Sequence, residues 1–235
     1  MSVYKRENEY IKLLSEKNRS VKELSKLMYI SEPTVRRDLY EMKNKDLVTC
    51  NRGIVSLRTD SADKRIPFFI RDFVNNDKKE IIAEKAVDFV KDGDIIMLDA
   101  STTVYCLIPK LSKFKNILCI TNGAKTALCL ASYGIKTICT GGELDRESFC
   151  YFGVDAENTL VKYMADVAFF SCRGIDEKGI ATDSSIYENN IRRIMIKNSN
   201  KSYLLCDSSK RGKRYLSILC DKNDVDGIIT DKNER

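Results

Sequence analysis

The chain has 235 residues, a formal net charge of +6 and no histidine, a length that suits one large domain or a small and a medium one. No apolar run approaches the roughly 18 residues of a membrane span, and residues 1–19 lack the apolar stretch of a signal peptide. Nine scattered cysteines without a C-x-x-C pair and without histidine argue against a metal site, a disulfide framework and a Ser-His or Cys-His catalytic pair, and favour reduced, buried thiols in the cytoplasm.

The first 57 residues predict three helices followed by a hairpin. An apolar stripe marks a helix over about residues 4–17. Ser20 and Glu23 form a capping box that begins the second helix, which ends near Met28. After a tight turn, Ser31 caps a third helix that carries a proline in its first turn.

The third helix predicts one buried face and one exposed face that bears arginine. Val35 and Leu39 lie on the buried stripe. At 100° per residue, Arg37 and Tyr40 fall on the opposite face and Arg36 falls on the flank. The next two apolar runs, "DLVTC" and "GIVSL", predict a small β-hairpin.

Two short helices joined by a tight turn, with arginines exposed on the second and a hairpin after it, are typical of a winged helix-turn-helix that binds double-stranded DNA. Residues 1–60 also hold 13 Lys or Arg against nine Asp or Glu, which favours an anionic partner. A three-helix module that docks on protein is the alternative. The predicted DNA contacts are Ser31, Thr34, Arg36, Arg37, Tyr40 and Arg52.

The rest of the chain predicts an α/β domain. Residues 58–76 read as a linker and a connecting helix, with a helix break at 75–77. From residue 77 to 235, helical stretches alternate with six apolar runs, "DIIMLD", "NILCIT", "KTICT", "DVAFFS", "SYLLCD" and "VDGIIT". This alternation indicates a mostly parallel sheet with helices on both faces.

Four loops of this domain follow predicted strands and carry polar groups. They are "LDASTTVYCL", "ITNGAKTAL", "CTGGELDRESF" and "CDSSKRGK". Each alone is more often a helix cap or a turn. Because ligands bind at the carboxyl edge of open α/β sheets, the four together predict a site for an anionic polyol.

Both parts of the chain resemble DeoR-type bacterial transcriptional regulators. The stretch "SVKELSKLMYISEPTVRRDLYEMKNKDLV" is similar to their winged helix in V-x-E-L-S/A, in S-E-x-T-I/V-R-R-D-L and in L-V. The stretches "PFFIRDFVNNDKKEIIAEKA" and "DSSK" are similar to the opening and to one loop of their effector domain. In the wing, Cys50 and Ile54 stand where the family usually has a cation and a glycine.

The resemblance implies a fold like that of ribose 5-phosphate isomerase and an effector domain that binds a phosphorylated sugar without catalysis. It implies a regulator of a sugar operon, expected to be a repressor with no cofactor. Because helix-turn-helix proteins read paired half-sites, we expect a homodimer or homotetramer, and the cysteine pattern without histidine predicts no metal site. The family's E-x-x-V-K corresponds to residues 188–192. The expected effector contacts are Asp99, Ser101, Thr102, Thr103, Thr121, Asn122, Gly141, Gly142, Glu143, Arg173, Glu188, Arg192 and Lys210.

An aldose-ketose isomerase with an attached DNA-binding module is the alternative function. Glu143, Glu188 or Asp207 could act as its base. The segment "SCRGIDEKG" places a cation where such isomerases carry an acidic run. A winged-helix adaptor for protein partners is a third hypothesis. Turnover of a sugar phosphate would identify an enzyme, and salt-dependent duplex binding would identify a regulator.

Arg173 leaves two interpretations open, because the family usually has an acidic or small polar residue at its position. Its guanidinium either points into the effector pocket or lies outward, paired with Asp176 or Glu177. In the first case the preferred ligand carries two anionic groups, since guanidinium binds phosphate or carboxylate in bidentate fashion.

Overall fold

The computed structural model describes residues 3–58 and 66–232, with side chains from residue 6 onward. The chain divides into two compact units, Met1–Asn75 and Asn76–Arg235. Most of the predicted linker, residues 59–65, lies outside the described residues. Within the described part, none of the helices is both long and apolar enough to span a membrane.

The first unit contains the three predicted helices and the predicted hairpin, together with a fourth helix. Its three strands form an antiparallel sheet in the order β1-β3-β2. Strand β1 is only two residues long and was not predicted. The elements are α1 Val3–Glu16, β1 Arg19–Ser20, α2 Val21–Met28, α3 Glu32–Asn44, β2 Val48–Asn51, β3 Ile54–Leu57 and α4 Phe68–Phe73.

Local capping fixes the ends of α2 and α3 as the sequence predicted. The Glu23 amide donates to Ser20 Oγ at 3.2 Å, and the Ser20 amide donates to Glu23 Oε2 at 2.7 Å. Tyr29 ends α2 with a left-handed φ of 55°. Ser31 Oγ then accepts from the Thr34 amide and begins α3. The tight turn between the two helices is therefore set by adjacent caps.

A buried carboxylate ties α3 to α1. Asp38 is 6% exposed, and Arg6 Nε donates to its Oδ2 at 2.9 Å. The Tyr10 hydroxyl donates to the same oxygen at 3.3 Å. The connecting helix α4 also packs within this unit, because Ile70 is fully buried in the apolar cluster that contains Tyr10 of α1 and Val35 of α3.

The second unit is built on a parallel sheet of six strands in the order β14-β12-β9-β4-β5-β6. Its strands are β4 Ile95–Leu98, β5 Leu118–Thr121, β6 Lys136–Cys139, β7 Glu143–Leu144, β8 Tyr151–Phe152, β9 Ala165–Ser171, β10 Gly174–Ile175, β11 Ala181–Asp183, β12 Ser199–Leu205, β13 Ser217–Cys220 and β14 Gly227–Ile229. Its α-helices are α5 Asn76–Ala86, α6 Thr102–Tyr105, α7 Ile108–Leu111, α8 Ala124–Ser132, α9 Val154–Leu160 and α10 Ile186–Lys197.

All six apolar runs form the strands of this sheet, so the predicted α/β class is confirmed. Alternate residues of each strand enter cores on opposite faces: Ile96 and Leu98 pack on one side, and Met97 packs on the other with α9 and α10. Burial on both faces explains the continuous apolar runs. Two short antiparallel pieces, β7-β8 and β10-β11-β13, were not predicted.

The order of the sheet defines where a ligand is expected. From β4 the chain moves to β5 and β6 on one side, and from β9 it moves to β12 and β14 on the other. The direction of winding therefore reverses between β4 and β9. Open α/β sheets bind ligands at the carboxyl ends of the strands beside such a switch point.

Candidate functional site

The exposed face of α3 carries an arginine and a tyrosine. Tyr40 is 66% exposed. Arg37 is exposed as well, and within residues 3–58 and 66–232 its side chain forms no hydrogen bond or ion pair. A cation held on a helix face without an intramolecular carboxylate is suited to an external anion.

The start of α3 presents two hydroxyl groups and a second arginine. Ser31 Oγ and Thr34 Oγ1 are 2.9 Å apart and hydrogen-bonded to each other. Arg36 lies on the flank of the helix, where its Nη2 is 3.4 Å from Glu32 Oε2. Both side chains of this pair are exposed, so the pair contributes little to stability, and a phosphate could replace the carboxylate.

The hairpin places one more cation at its tip. Arg52 lies in the turn between β2 and β3 with a φ of 47°, and Gly53 follows with a φ of 79°. A hydrogen bond of 2.8 Å between Thr49 Oγ1 and Ser56 Oγ joins the two strands. The hairpin holds the exposed Arg52 as a wing would, while Cys50 lies exposed on β2.

In the second unit, the carboxyl edge of the sheet centres on a buried ion cluster. The Arg192 guanidinium donates to Asp99 Oδ2 at 2.9 Å, to Asp183 Oδ2 at 2.7 Å and to Glu188 Oε2 at 2.7 Å. Asp99 follows β4 at the switch point, and its Oδ2 also accepts from the amide of Ser171, the last residue of β9, at 3.1 Å. Arg192 thereby ties the loop after β4 and the end of β11 to α10, and it also pairs with Glu188 of its own helix.

The electrostatics of this cluster favour a permanently charged Arg192. Burial alone would lower the pKa of its guanidinium, but the charges of Asp183, Glu188 and Asp99 outweigh that effect and raise the pKa well above its ordinary value. With three carboxylates facing one guanidinium, the cluster holds excess negative charge. The cation predicted as an effector contact is therefore engaged inside the protein.

The loop after β12 supplies a second cation at the same edge. Lys210 Nζ donates to Ser171 Oγ at 2.8 Å and lies 3.9 Å from Asp207 Oδ2. Two hydrogen bonds fix the neighbouring Ser208. Its amide donates to Asp231 Oδ1 at 2.6 Å, and its Oγ accepts from Lys78 Nζ at 3.0 Å. Lys210 thus extends from a braced loop.

Three buried polar atoms at this edge form no hydrogen bond within the part of the chain that the structure describes. They are Thr103 Oγ1, Asn122 Oδ1 and Thr126 Oγ1. Buried oxygens that lack a partner cost about 1–3 kcal/mol each, so an orphaned group calls for an explanation.

A glycine lets the two loops that carry these atoms approach each other. A Cβ atom on Gly123 would lie 2.6 Å from Thr126 Oγ1 and 3.1 Å from the Ala100 Cα. The loops after β4 and β5 are therefore packed backbone to backbone. In the first, Ser101 Oγ accepts from the Val104 amide, and in the second, Thr121 Oγ1 accepts from the Gly123 amide, so these two predicted contacts also cap their own loops.

The loop after β6 contains two glycines whose backbone conformation brings it close to the β7-β8 ribbon. Gly141 and Gly142 have φ values of 66° and 103°, and a Cβ atom on Gly142 would lie 2.7 Å from the Phe152 carbonyl. Glu143 continues onto the ribbon β7-β8, where it is exposed and pairs with Phe152. Directly before β8, the Cys150 thiol donates to Glu188 Oε1 at 3.4 Å.

Arg173 lies where the chain leaves β9, and its guanidinium contacts the Tyr215 ring and the Ser184 hydroxyl. It stacks 4.4 Å from the centroid of the Tyr215 ring, and its Nη1 donates to Ser184 Oγ at 2.7 Å. Asp176, one of the two carboxylates considered for an outward pair, accepts from Arg214 Nε at 2.8 Å.

The structure brings most of the predicted effector residues to one edge, and it adds residues that the sequence did not single out. Asp183, Ser171 and Lys78 entered no prediction, because each acts through partners on distant elements. The only sequence signal for Asp183 was that it is a carboxylate at the end of a strand. The predicted contacts that gather at this edge are Asp99, Ser101, Thr102, Thr103, Thr121, Asn122, Glu188, Arg192 and Lys210.

Two family models cover nearly all of the chain. Residues 6–60 match the DeoR-like helix-turn-helix domain, and residues 74–232 match the DeoR C terminal sensor domain. The boundary between the two matches falls close to the division of the structure between Asn75 and Asn76.

Relatives of similar length support the same grouping. The chain is 36% identical over 213 residues, 90% of its length and 81% of the relative's, to an uncharacterized HTH-type transcriptional regulator of Bacillus subtilis, YulB. It is 31% identical over 252 residues, 100% and 94%, to a lactose phosphotransferase system repressor of Staphylococcus epidermidis. Among solved structures, ribose 5-phosphate isomerase A of Methanocaldococcus jannaschii is 22% identical over 58% of this chain and 55% of that one, with a TM-score of 0.45.

Proposed function

Because this chain belongs to the DeoR family of helix-turn-helix transcriptional regulators, we propose that it represses a sugar-metabolism operon by binding its operator and that a phosphorylated sugar controls this binding. The DNA half rests on α3, which presents Arg37 and Tyr40 opposite its buried stripe. A helix of this shape fits the major groove, where arginine reads guanine. Its place of action is then the cytoplasm, and paired half-sites call for a dimer or a tetramer.

The effector half rests on one observation above the others. Thr103, Asn122 and Thr126 each leave a buried oxygen without a hydrogen bond, on loops beside the switch point of the sheet. Lys210 supplies a cation at the same edge. Oxygens that can accept hydrogen bonds from hydroxyl groups, together with a nearby ammonium group, fit a phosphorylated polyol. The name of the Staphylococcus relative, a lactose phosphotransferase system repressor, supports this chemical class.

Within this proposal Arg192 positions the site and does not contact the ligand. It holds Asp99 and Glu188 in place through one oxygen of each carboxylate. The other oxygens accept from the Ser101 amide and the Cys150 thiol, so the cluster fixes the shape of this edge.

This arrangement does not favour the isomerase alternative. Of the three carboxylates considered as base, Glu188 is bonded to the buried Arg192 guanidinium. Asp207 accepts from the amide and hydroxyl of Ser209, and Glu143 is exposed on β7.

A thermal-shift screen of phosphorylated sugars tests the effector half directly. A ligand present at 100 times its dissociation constant stabilises the folded chain by about 2.7 kcal/mol. We expect one phosphorylated sugar to raise the melting temperature while its unphosphorylated parent does not. If no member of a broad set of sugar phosphates does so, the effector half of the proposal is wrong.

Removing the Lys210 ammonium should abolish the response to effector and leave DNA binding intact. Lys210→Ala takes away the cation that faces the predicted phosphate site, whereas the DNA contacts lie in the other unit. The measurement is release of a labelled duplex by the sugar phosphate found in the screen. Lys201→Ala is the matched control, since Lys201 belongs to β12 near its other end and pairs with exposed Asp226. A Lys210→Ala protein that responds at wild-type concentrations would refute the assignment.

Arg173 should determine whether the ligand carries one anionic group or two. The stacking on Tyr215 and the bond to Ser184 hold its guanidinium in a fixed direction at the ligand edge. If it contacts ligand, Arg173→Ala lowers affinity for a bisphosphate by at least about tenfold, through loss of a charge-assisted bidentate bond, and affects the matched monophosphate much less. An unchanged ratio of the two affinities would show that Arg173 does not read the ligand.

A further inference from the structure

Two cysteines lie side by side at the carboxyl edge of the sheet. Cys172 comes directly after β9 and Cys206 directly after β12, and the residues before them, Ser171 and Leu205, are register partners in the parallel ladder. The two Sγ atoms are 3.9 Å apart, with the Cys172 thiol donating to the Cys206 sulfur.

The backbone spacing at this pair suits a covalent bond between the sulfurs. Neighbouring strands lie about 4.8 Å apart, and disulfides join Cα atoms that are roughly 4.4–6.8 Å apart. The sulfur atoms would have to approach by about 2 Å to reach a disulfide length of about 2.05 Å. Rotation of the two side chains with a small shift at the strand ends can supply that distance.

We propose that Cys172 and Cys206 form a redox modification site, in which a peroxide converts the adjacent thiols into a disulfide that joins the ends of β9 and β12. The site was not part of the sequence predictions, in which the cysteines were buried apolar residues. It uses two residues that have no part in the proposed binding of DNA or sugar phosphate.

The chemistry balances with one hydrogen peroxide as the two-electron oxidant. The Cys206 thiolate attacks one peroxide oxygen, the O–O bond breaks, and the departing hydroxide takes up the proton that Cys206 released and leaves as water. Cys206 is then a sulfenic acid. The Cys172 sulfur attacks that sulfur, the S–O bond breaks, and the departing hydroxide leaves as a second water with the proton from Cys172. Two thiols and one peroxide thus give one disulfide and two waters.

The surroundings identify Cys206 as the thiol that reacts first. The hydrogen bond from Cys172 and the positive charge of Lys210 lower the pKa of Cys206 in spite of its burial. The hydrogen bond to Cys206 and burial raise the pKa of Cys172 well above its ordinary value. A thiolate beside a cation is the reactive form of cysteine, and Cys172 is then positioned to resolve the sulfenic acid.

The position of the pair connects oxidation to the loops at the ligand edge. Ser171 precedes Cys172 and accepts from Lys210, while Asp207 follows Cys206 and caps the turn that carries Lys210. Drawing the two sulfurs together moves both ends of the Ser171–Lys210 hydrogen bond. An altered response to effector would follow; this consequence rests on the proposed function, whereas the disulfide itself does not.

The linkage can be detected by peptide mapping of the full chain. The exposed Cys50 and Cys139 are first replaced by serine, and the protein is treated with hydrogen peroxide, alkylated in denaturant and digested with trypsin. Cleavage after Lys162, Arg173, Lys201 and Lys210 places the two thiols in peptides 163–173 and 202–210. We expect these peptides to be recovered joined, with two hydrogen atoms lost, and to separate on treatment with dithiothreitol.

Three variants make the outcome specific. Cys206→Ser should give no joined peptide, and Cys172→Ala should stop at a sulfenic acid on Cys206 that dimedone traps. Cys119→Ser, which removes a thiol whose pKa burial raises to about 12, should form the joined peptide as readily as its parent. The proposal is overturned if both thiols stay open to alkylation in peroxide-treated protein, or if either is joined mainly to another cysteine. Because the parent protein already gives the decisive readout, misfolding of a variant would not obscure it.

Discussion

Replacing Arg37 by alanine should weaken binding of the operator by about 10- to 100-fold, the range expected for a bidentate contact with guanine worth about 1–3 kcal/mol. Arg37 is exposed opposite the buried Val35 and Leu39, and no intramolecular partner holds it among the described residues. For the same reason the melting temperature should hardly change. Fluorescence anisotropy with a labelled duplex, selected by the protein from a random pool, measures the loss.

Two further variants, one at a lysine and one at an arginine, show whether the effect of Arg37→Ala is specific to that residue. Lys43→Ala removes an exposed cation from the last turn of the same helix, away from its groove-facing start, and should cost little affinity. Arg36→Ala should weaken all duplexes evenly and reduce the slope of log affinity against log salt by about one, as for a phosphate contact. If Arg37→Ala binds the selected duplex as tightly as the wild type does at moderate salt, α3 does not read DNA through this residue.

Replacing Arg192 by methionine should destabilise the second unit by about 3–5 kcal/mol, which is the cost of leaving buried charges without their partner. Asp99, Asp183 and Glu188 all accept hydrogen bonds from this one guanidinium. The Arg192 side chain is only 6% exposed. Methionine keeps much of the side-chain volume, so the loss reports the charge. For a unit of this size the melting temperature should fall by about 10 °C.

A second methionine variant separates this effect from a general loss of positive charge. Lys197 lies exposed in the last turn of the same helix, and Lys197→Met should shift the melting temperature by little. Equal melting temperatures for the two variants would show that the cluster does not hold the edge of the sheet together. Thermal unfolding followed by circular dichroism at neutral pH provides the comparison.

The parts of the fold that follow local rules could be predicted from the sequence. The capping box of Ser20 and Glu23 fixed the start of α2, and the proline after Ser31 marked the start of α3. The six strands were visible because parallel strands buried on both faces read as continuous apolar runs. The short ribbons, such as β7-β8, carry only two residues per strand and leave no such signal.

The parts that depend on distant partners could not be predicted. Arg192 was expected to contact the effector, yet it bonds to Asp99, a carboxylate 93 positions earlier in the chain. Likewise, Asp38 of the "RRDL" motif serves as a buried anchor for Arg6 and Tyr10 of α1. Residue type and spacing show that such groups are charged or polar. Only the tertiary fold shows which cation pairs with which carboxylate.

In the proposed function, a phosphorylated sugar bound in the second unit controls the affinity of the first unit for DNA. Linkage requires the effector to have different affinities for the DNA-bound and free states, and a coupling of 1–3 kcal/mol would be typical. The most direct test is to titrate the selected duplex with protein in the presence and absence of the sugar phosphate that raises the melting temperature. We expect the effector to raise the dissociation constant for DNA by about 5- to 150-fold. An unchanged dissociation constant under saturating effector would show that the sugar phosphate does not control DNA binding.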